Sequence, residues 1–128
     1  MNHIARGTFE VEVTPSAPEL DGAVNRFELR KRFSGDLAGT GSGVMLSGGD
    51  PSTGTAGYVA IETVRGTLGG REGAFALQQF GTMVSGASLL HDQVVPGSGS
   101  GELAGVLGSL HLTFDADGTH RFELDYEL

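Results

Sequence analysis

The chain has 128 residues, with no cysteine, no tryptophan, four prolines and only 7% aromatic residues. Without cysteine there is no disulfide, no thiolate metal site and no cysteine nucleophile. Basic residues are scarce as well. Eight Lys and Arg stand against 16 Asp and Glu, for a formal net charge of -8. Such a surface repels nucleic acid and anionic membranes, so neither is expected as a partner. No apolar run approaches the ~18 residues of a transmembrane helix. The start, Met1-Asn2-His3-Ile4-Ala5-Arg6, lacks the apolar core of a secretory signal. These absences point to a cytoplasmic protein.

Other missing patterns narrow the chemistry. The histidines are His3, His91, His111 and His120. No two have the spacing of a metal pair, so neither a metal nor a cofactor is expected. There is no GxSxG elbow. The run Gly97-Ser98-Gly99-Ser100-Gly101 matches neither a Walker loop nor GxGxxG, and no helix follows it to hold a phosphate. The one basic cluster, Arg30-Lys31-Arg32, reads as a solvated strand with like charges along one edge.

What is present in excess is glycine, 22 of 128 residues, or about 17% against an ordinary ~7%. Hydrophobic content is 38%, enough for one folded domain with a sizeable core. No window of helical length carries apolar residues at helical spacing, whereas alternation at period two recurs. Phe9, Val11 and Val13 oppose Thr8, Glu10 and Glu12. Phe27, Leu29 and Phe33 oppose Arg26, Glu28, Arg30 and Arg32. Further strands are read over 37–47, 55–68, 72–81, 87–95, 102–114 and 119–128. Gly48-Gly49-Asp50-Pro51 and Gly69-Gly70 are strong turn signals. The glycines from Gly99 to Gly108 read as the turn into the seventh strand and its kinked start. Eight strands in an up-and-down meander close most readily into an all-β antiparallel barrel, which removes both edges. A sandwich is the other arrangement of such strands. Eight strands leave room inside for side chains or one small ligand.

Four segments resemble a bacterial domain-of-unknown-function family, number 3224, whose fold is described as allene-oxide-cyclase-barrel-like. They are Phe33-Ser34-Gly35-Asp36-Leu37-Ala38-Gly39-Thr40-Gly41, Gly57-Tyr58-Val59-Ala60-Ile61-Glu62, the stretch from Gly66 to Gln78, and the stretch from Val94 to Leu103. The glycine spacing from Gly99 through Gly101 and Gly105 to Gly108 is also similar to the glycine strand of plant allene oxide cyclases and dirigent proteins. That likeness implies a barrel that guides a reactive small molecule, and self-association by analogy with the plant trimers. Members resembling this chain often carry a histidine where Gln79 stands. That departure weakens a histidine acid or base at this position.

Strand alternation sorts the candidate site residues. Tyr58, Ala60 and Glu62 share one face of the fourth strand; Phe75, Leu77 and Gln79 share one face of the fifth. Phe122, Leu124 and Tyr126 of the eighth point inward. In one register Glu62 enters the barrel beside Tyr58, Gln79 and Tyr126, as a desolvated general acid or base. In the other, Val59 and Ile61 point inward and Glu62 lies outside near Arg65. Glu102 reads either as a ligand contact at the barrel mouth, helped by Ser98 and Ser100, or as a solvated carboxylate. A clamp of two turns by Arg71 and Asp36 is a structural expectation. The function expected is binding of a small apolar molecule, with isomerase or cyclase chemistry on it. The alternative is a structural or interaction module forming a homo-oligomer.

Overall fold

A strand with one apolar face must bury that face, and here the sheet does so by closing on itself. The computed structural model describes residues 2–16 and 24–128. Its strands are β1 (Asn2–Ser16), β2 (Val24–Gly35), β3 (Leu37–Asp50), β4 (Thr55–Leu68), β5 (Arg71–Val84), β6 (Ala87–Val94), β7 (Ser100–Gly101), β8 (Leu107–Phe114) and β9 (His120–Glu127). Each long strand pairs antiparallel with the next, and β9 returns to β1. The result is a closed eight-stranded barrel without an α-helix among the described residues. Two-residue β7 takes over the edge of β5 at Gly73 and Ala74, beyond the end of β6.

The turns follow local chemistry. Gly69 and Gly70 both have positive φ, 57° and 85°, as a tight two-residue hairpin demands. Asp50 caps the short 3-10 turn Pro51–Thr53 by accepting the Ser52 N–H. The two turns expected to be clamped by Asp36 and Arg71 are joined through backbone, Gly69 N–H donating to the Asp36 carbonyl at 3.0 Å, while Asp36 also bonds to Arg6 of β1. The Arg6 N–H donates to the Asp36 carboxylate at 2.9 Å, and Asp36 N–H donates to the Arg6 carbonyl at 3.0 Å. Gly39 faces Gly66 across β3 and β4. A Cβ on either would stand 2.1 Å from a carbonyl oxygen of the other strand. Side-chain-free residues let the two backbones approach this closely.

The packed core fills one end of the barrel. Leu37, Val64, Leu68, Phe75, Leu77, Val94, Leu110 and Leu124 are at most 4% exposed. The glycine-rich segment shuts this end, and its structure differs from the strand expected over 102–114. Successive tight turns link Leu103 N–H to the Ser100 carbonyl and Val106 N–H to the Leu103 carbonyl. Gly97, Gly101 and Gly105 take positive φ there. Regular pairing begins only at Leu107. The reason is spacing: Leu103 and Val106 stand three residues apart, which turns satisfy and a strand does not. Both side chains are buried to within 1% and plug the barrel floor.

One seam is thinly stitched. β6 and β8 share a single paired position, Gln93 with Ser109. Both neighbouring joints, β5–β6 and β8–β9, pair along eight residues.

Candidate functional site

Inward positions change character along each strand. On β4, Leu68 and Val64 are fully buried core, Glu62 comes next, then Ala60 and Tyr58. On β5 the sequence is Phe75, Leu77, then Gln79, Gly81 and Met83. On β6, Val94 is followed inward-facing by Asp92 and then Leu90. On β2, Phe33 is followed by Lys31. Above the apolar core therefore lies a polar layer, and above that the open half of the barrel.

The layer is charged and buried. Lys31, Glu62 and Asp92 are 8%, 5% and 6% exposed. Lys31 Nζ donates to Glu62 Oε1 at 2.8 Å, and Gln79 Nε2 donates to Asp92 Oδ2 at 3.2 Å. Glu62 Oε2 and Asp92 Oδ1 are buried without a hydrogen-bond donor from the protein. Gly41 leaves the room that Glu62 occupies, since a Cβ there would lie 3.0 Å from Oε2. Burial pushes the Asp92 carboxyl up to about 7; the Lys31 ammonium opposes this and the Glu62 carboxylate adds to it. Burial, with the charge of Asp92, pushes the Tyr58 hydroxyl up to about 12.

Above the layer an unfilled cavity of about 330 Å³ is lined by Met45, Tyr58, Met83, Leu90, Leu112 and Phe114 among others. The Tyr58 ring lies over Gly81, where a Cβ would come within 2.5 Å of it. A larger groove of about 490 Å³, lined by Val44, Leu46, Val59, Ile61, Phe80 and His91 among others, runs over the outer face. Lys31, Glu62 and Asp92 line neither space; Gln79 borders the groove, and Asp92 stands one inward step along β6 from Leu90 of the inner cavity's wall.

The structure brings Glu62, Gln79 and Tyr58 to the same interior wall. Glu62 faces Leu77 across β5, and Val59 and Ile61 are each 54% exposed on the outside. Phe75, Leu77, Phe122 and Tyr126 do point inward, but as members of the packed core, and none of them lines the cavity. Phe122 meets Phe33 edge-on, and Tyr126 stacks on His3. Glu102 stands apart from all of these, at the plugged end. It is exposed, and its carboxylate accepts the Glu72 N–H at 3.1 Å. Ser98 and Ser100 spend their hydroxyls on the backbone carbonyls of Val95 and Ala74.

Two members of the layer, Lys31 and Asp92, are absent from the candidate site residues read from the sequence. The solvated reading of the basic cluster fails for Lys31, because that residue occupies the inward position between Leu29 and Phe33. Asp92 follows from the hairpin at Ser85-Gly86: counting back from its Val84–Ala87 pair sets Gln79 opposite Asp92. His91 faces outward and stacks on Phe80, with ring centroids 4.7 Å apart.

Comparison with known proteins agrees with this architecture. No curated protein matches the chain. A crystal structure of a protein of unknown function from the DUF3224 family, from Shewanella oneidensis MR-1, is similar over 100% of this chain and 98% of that one. The identity is 40% and the TM-score 0.92. The family model described as "Protein of unknown function (DUF3224)" matches residues 5–126. With nearly the whole barrel covered, the chain belongs to the DUF3224 family.

Proposed function

We propose that the chain binds a small, mostly apolar molecule in the open half of the barrel, its polar end turned toward Lys31, Glu62 and Asp92. One observation carries this reading. Moving up the interior, close packing gives way to a buried charged layer and then to an unfilled, apolar-walled cavity of about 330 Å³. Ligand sites have this form and occupy roughly 300–1,000 Å³. A filled barrel would have continued its core to the mouth.

The same site suits proton transfer. A carboxyl titrating near neutrality can both take and return a proton. Isomerase or cyclase chemistry on the bound molecule is therefore compatible with the site, with Asp92 nearest to a working acid or base and Glu62 held by Lys31.

The methionines give a direct test. Two of the three, Met45 and Met83, line the cavity. In protein carrying carbon-13 methionine methyls, titration with n-octanol should shift the Met45 and Met83 signals saturably. Signals unchanged up to the solubility limit of the alcohol would remove the proposal.

A second reading, self-association, is favoured by the outer face. Val59, Ile61 and Phe80 are 54%, 54% and 46% exposed side by side on β4 and β5. Its test is the mass of the protein in solution, taken up below.

A further inference from the structure

We propose that the molecule taken by the barrel is an amine, bound as its ammonium ion and preferred over the alcohol and the carboxylic acid of the same carbon skeleton. This rests on the reading that the cavity binds a small apolar molecule, and adds the chemistry of its polar end.

The argument is one of donors, acceptors and charge. The buried layer holds two carboxyl groups and one ammonium. Lys31 serves Glu62 Oε1, and Gln79 serves Asp92 Oδ2. Glu62 Oε2 and Asp92 Oδ1 remain, both buried and both without a protein donor. A buried acceptor left unpaired costs roughly 1–3 kcal/mol, and more when it is charged. A primary ammonium brings three N–H donors and the positive charge that a second carboxylate calls for. An alcohol brings one donor and no charge. A carboxylate brings no donor and a third negative charge.

The position fits as well. Asp92 is the next inward residue below Leu90, which lines the cavity, a step of about 7 Å along a strand. Tyr58, level with Leu90 on the other side of Gly81, feels the Asp92 charge. An apolar tail against Met45, Met83 and Phe114 would thus leave its head group at the two unserved oxygens.

Among the described residues, four side chains face Asp92. They are Lys31 from β2, Glu62 and Tyr58 from β4 and Gln79 from β5, while β8 offers only Leu110 and Leu112. An ammonium binds best once Asp92 is ionised. Affinity should therefore rise through neutral pH, as apparent affinity scales with the competent fraction.

The experiment compares n-octylammonium, n-octanol and octanoate on the Met45 and Met83 methyl signals at physiological salt, which screens the acidic surface. At pH 8 the ammonium should saturate at concentrations at least tenfold lower than the alcohol, and octanoate should be weakest. Between pH 6 and pH 8 the ammonium affinity should rise roughly tenfold, following a carboxyl near 7. The octanol affinity should stay flat. The probe itself remains protonated, with a pKa about that of lysine, ~10.4. Asp92→Asn should cut the ammonium preference to under threefold and abolish its pH dependence, with strand content checked by circular dichroism.

Equal affinity for alcohol and ammonium, or a tighter octanoate, would overturn the amine assignment while leaving the cavity reading intact. If none of the three probes moves the methyls, the cavity reading falls and the amine with it. Should Asp92→Asn fail to fold, a flat pH series for the ammonium on the unaltered protein is enough to reject the proposal.

Discussion

Asp92 sets a pH dependence that can be predicted with its sign. Its carboxyl titrates at about 7 in the fold, raised from 3.8 chiefly by burial. The folded protein therefore holds a proton that the unfolded chain has released. Stability contributed by this proton is complete below about pH 4 and is lost as pH rises through 7. At 1.36 kcal/mol per pKa unit the loss is at most about 4 kcal/mol. Melting temperature should fall between pH 5 and pH 8, and Asp92→Asn should flatten that slope. A parallel slope in the variant would show that other groups are responsible. Lys31 shows why such a layer is hard to read in advance. The period-two face of β2 was legible through Phe27, Leu29 and Phe33, and Lys31 falls on it. Its neighbours Arg30 and Arg32 made it look like part of a solvated charge run. Only the facing carboxylate of Glu62, 31 residues away, explains a buried lysine, and that partner is a matter of three-dimensional closure.

Among the elements, β6 and β8 are the pair to watch. They share one ladder position near the core end, Gln93 with Ser109. Toward the mouth they carry Leu90, Leu112 and Phe114, which line the cavity. Amides held by few ladder bonds open locally at low free-energy cost. Hydrogen exchange should be faster in residues 87–92 and 110–114 than in β3 and β4, which pair along 14 positions. Uniform protection around the ring would contradict this. Hairpin elements were well marked in the sequence because glycine pairs fixed their turns, as at Gly69-Gly70. That turn also settles the register of Glu62 against Leu77. The glycine-rich segment was less legible. Its apolar residues belong to successive turns, and a local pattern does not reveal that Leu103 and Val106 fold back to cover the end of a core.

For the whole molecule the barrel itself was the most legible feature, since eight alternating segments with short turns leave few ways to hide every apolar face. How it associates is a separate matter. The exposed Val59, Ile61 and Phe80 face predicts a solution mass above the 13.2 kDa of one chain, measured by light scattering. Ile61→Glu should lower that mass by placing like charges against each other at the contact. A mass of one chain at high concentration would count against self-association.

Among the described residues the plug of Leu103 and Val106 closes one end of the barrel, so a guest bound as proposed would come and go by the mouth. Entry and exit must then share a path, so two guests exclude each other rather than queue. Such a guest would go in head first and leave tail first. Its head group is screened by the depth of the vessel, while the far end of its tail is free to project beyond the rim. Discrimination is thus strict at one end of the guest and lenient at the other.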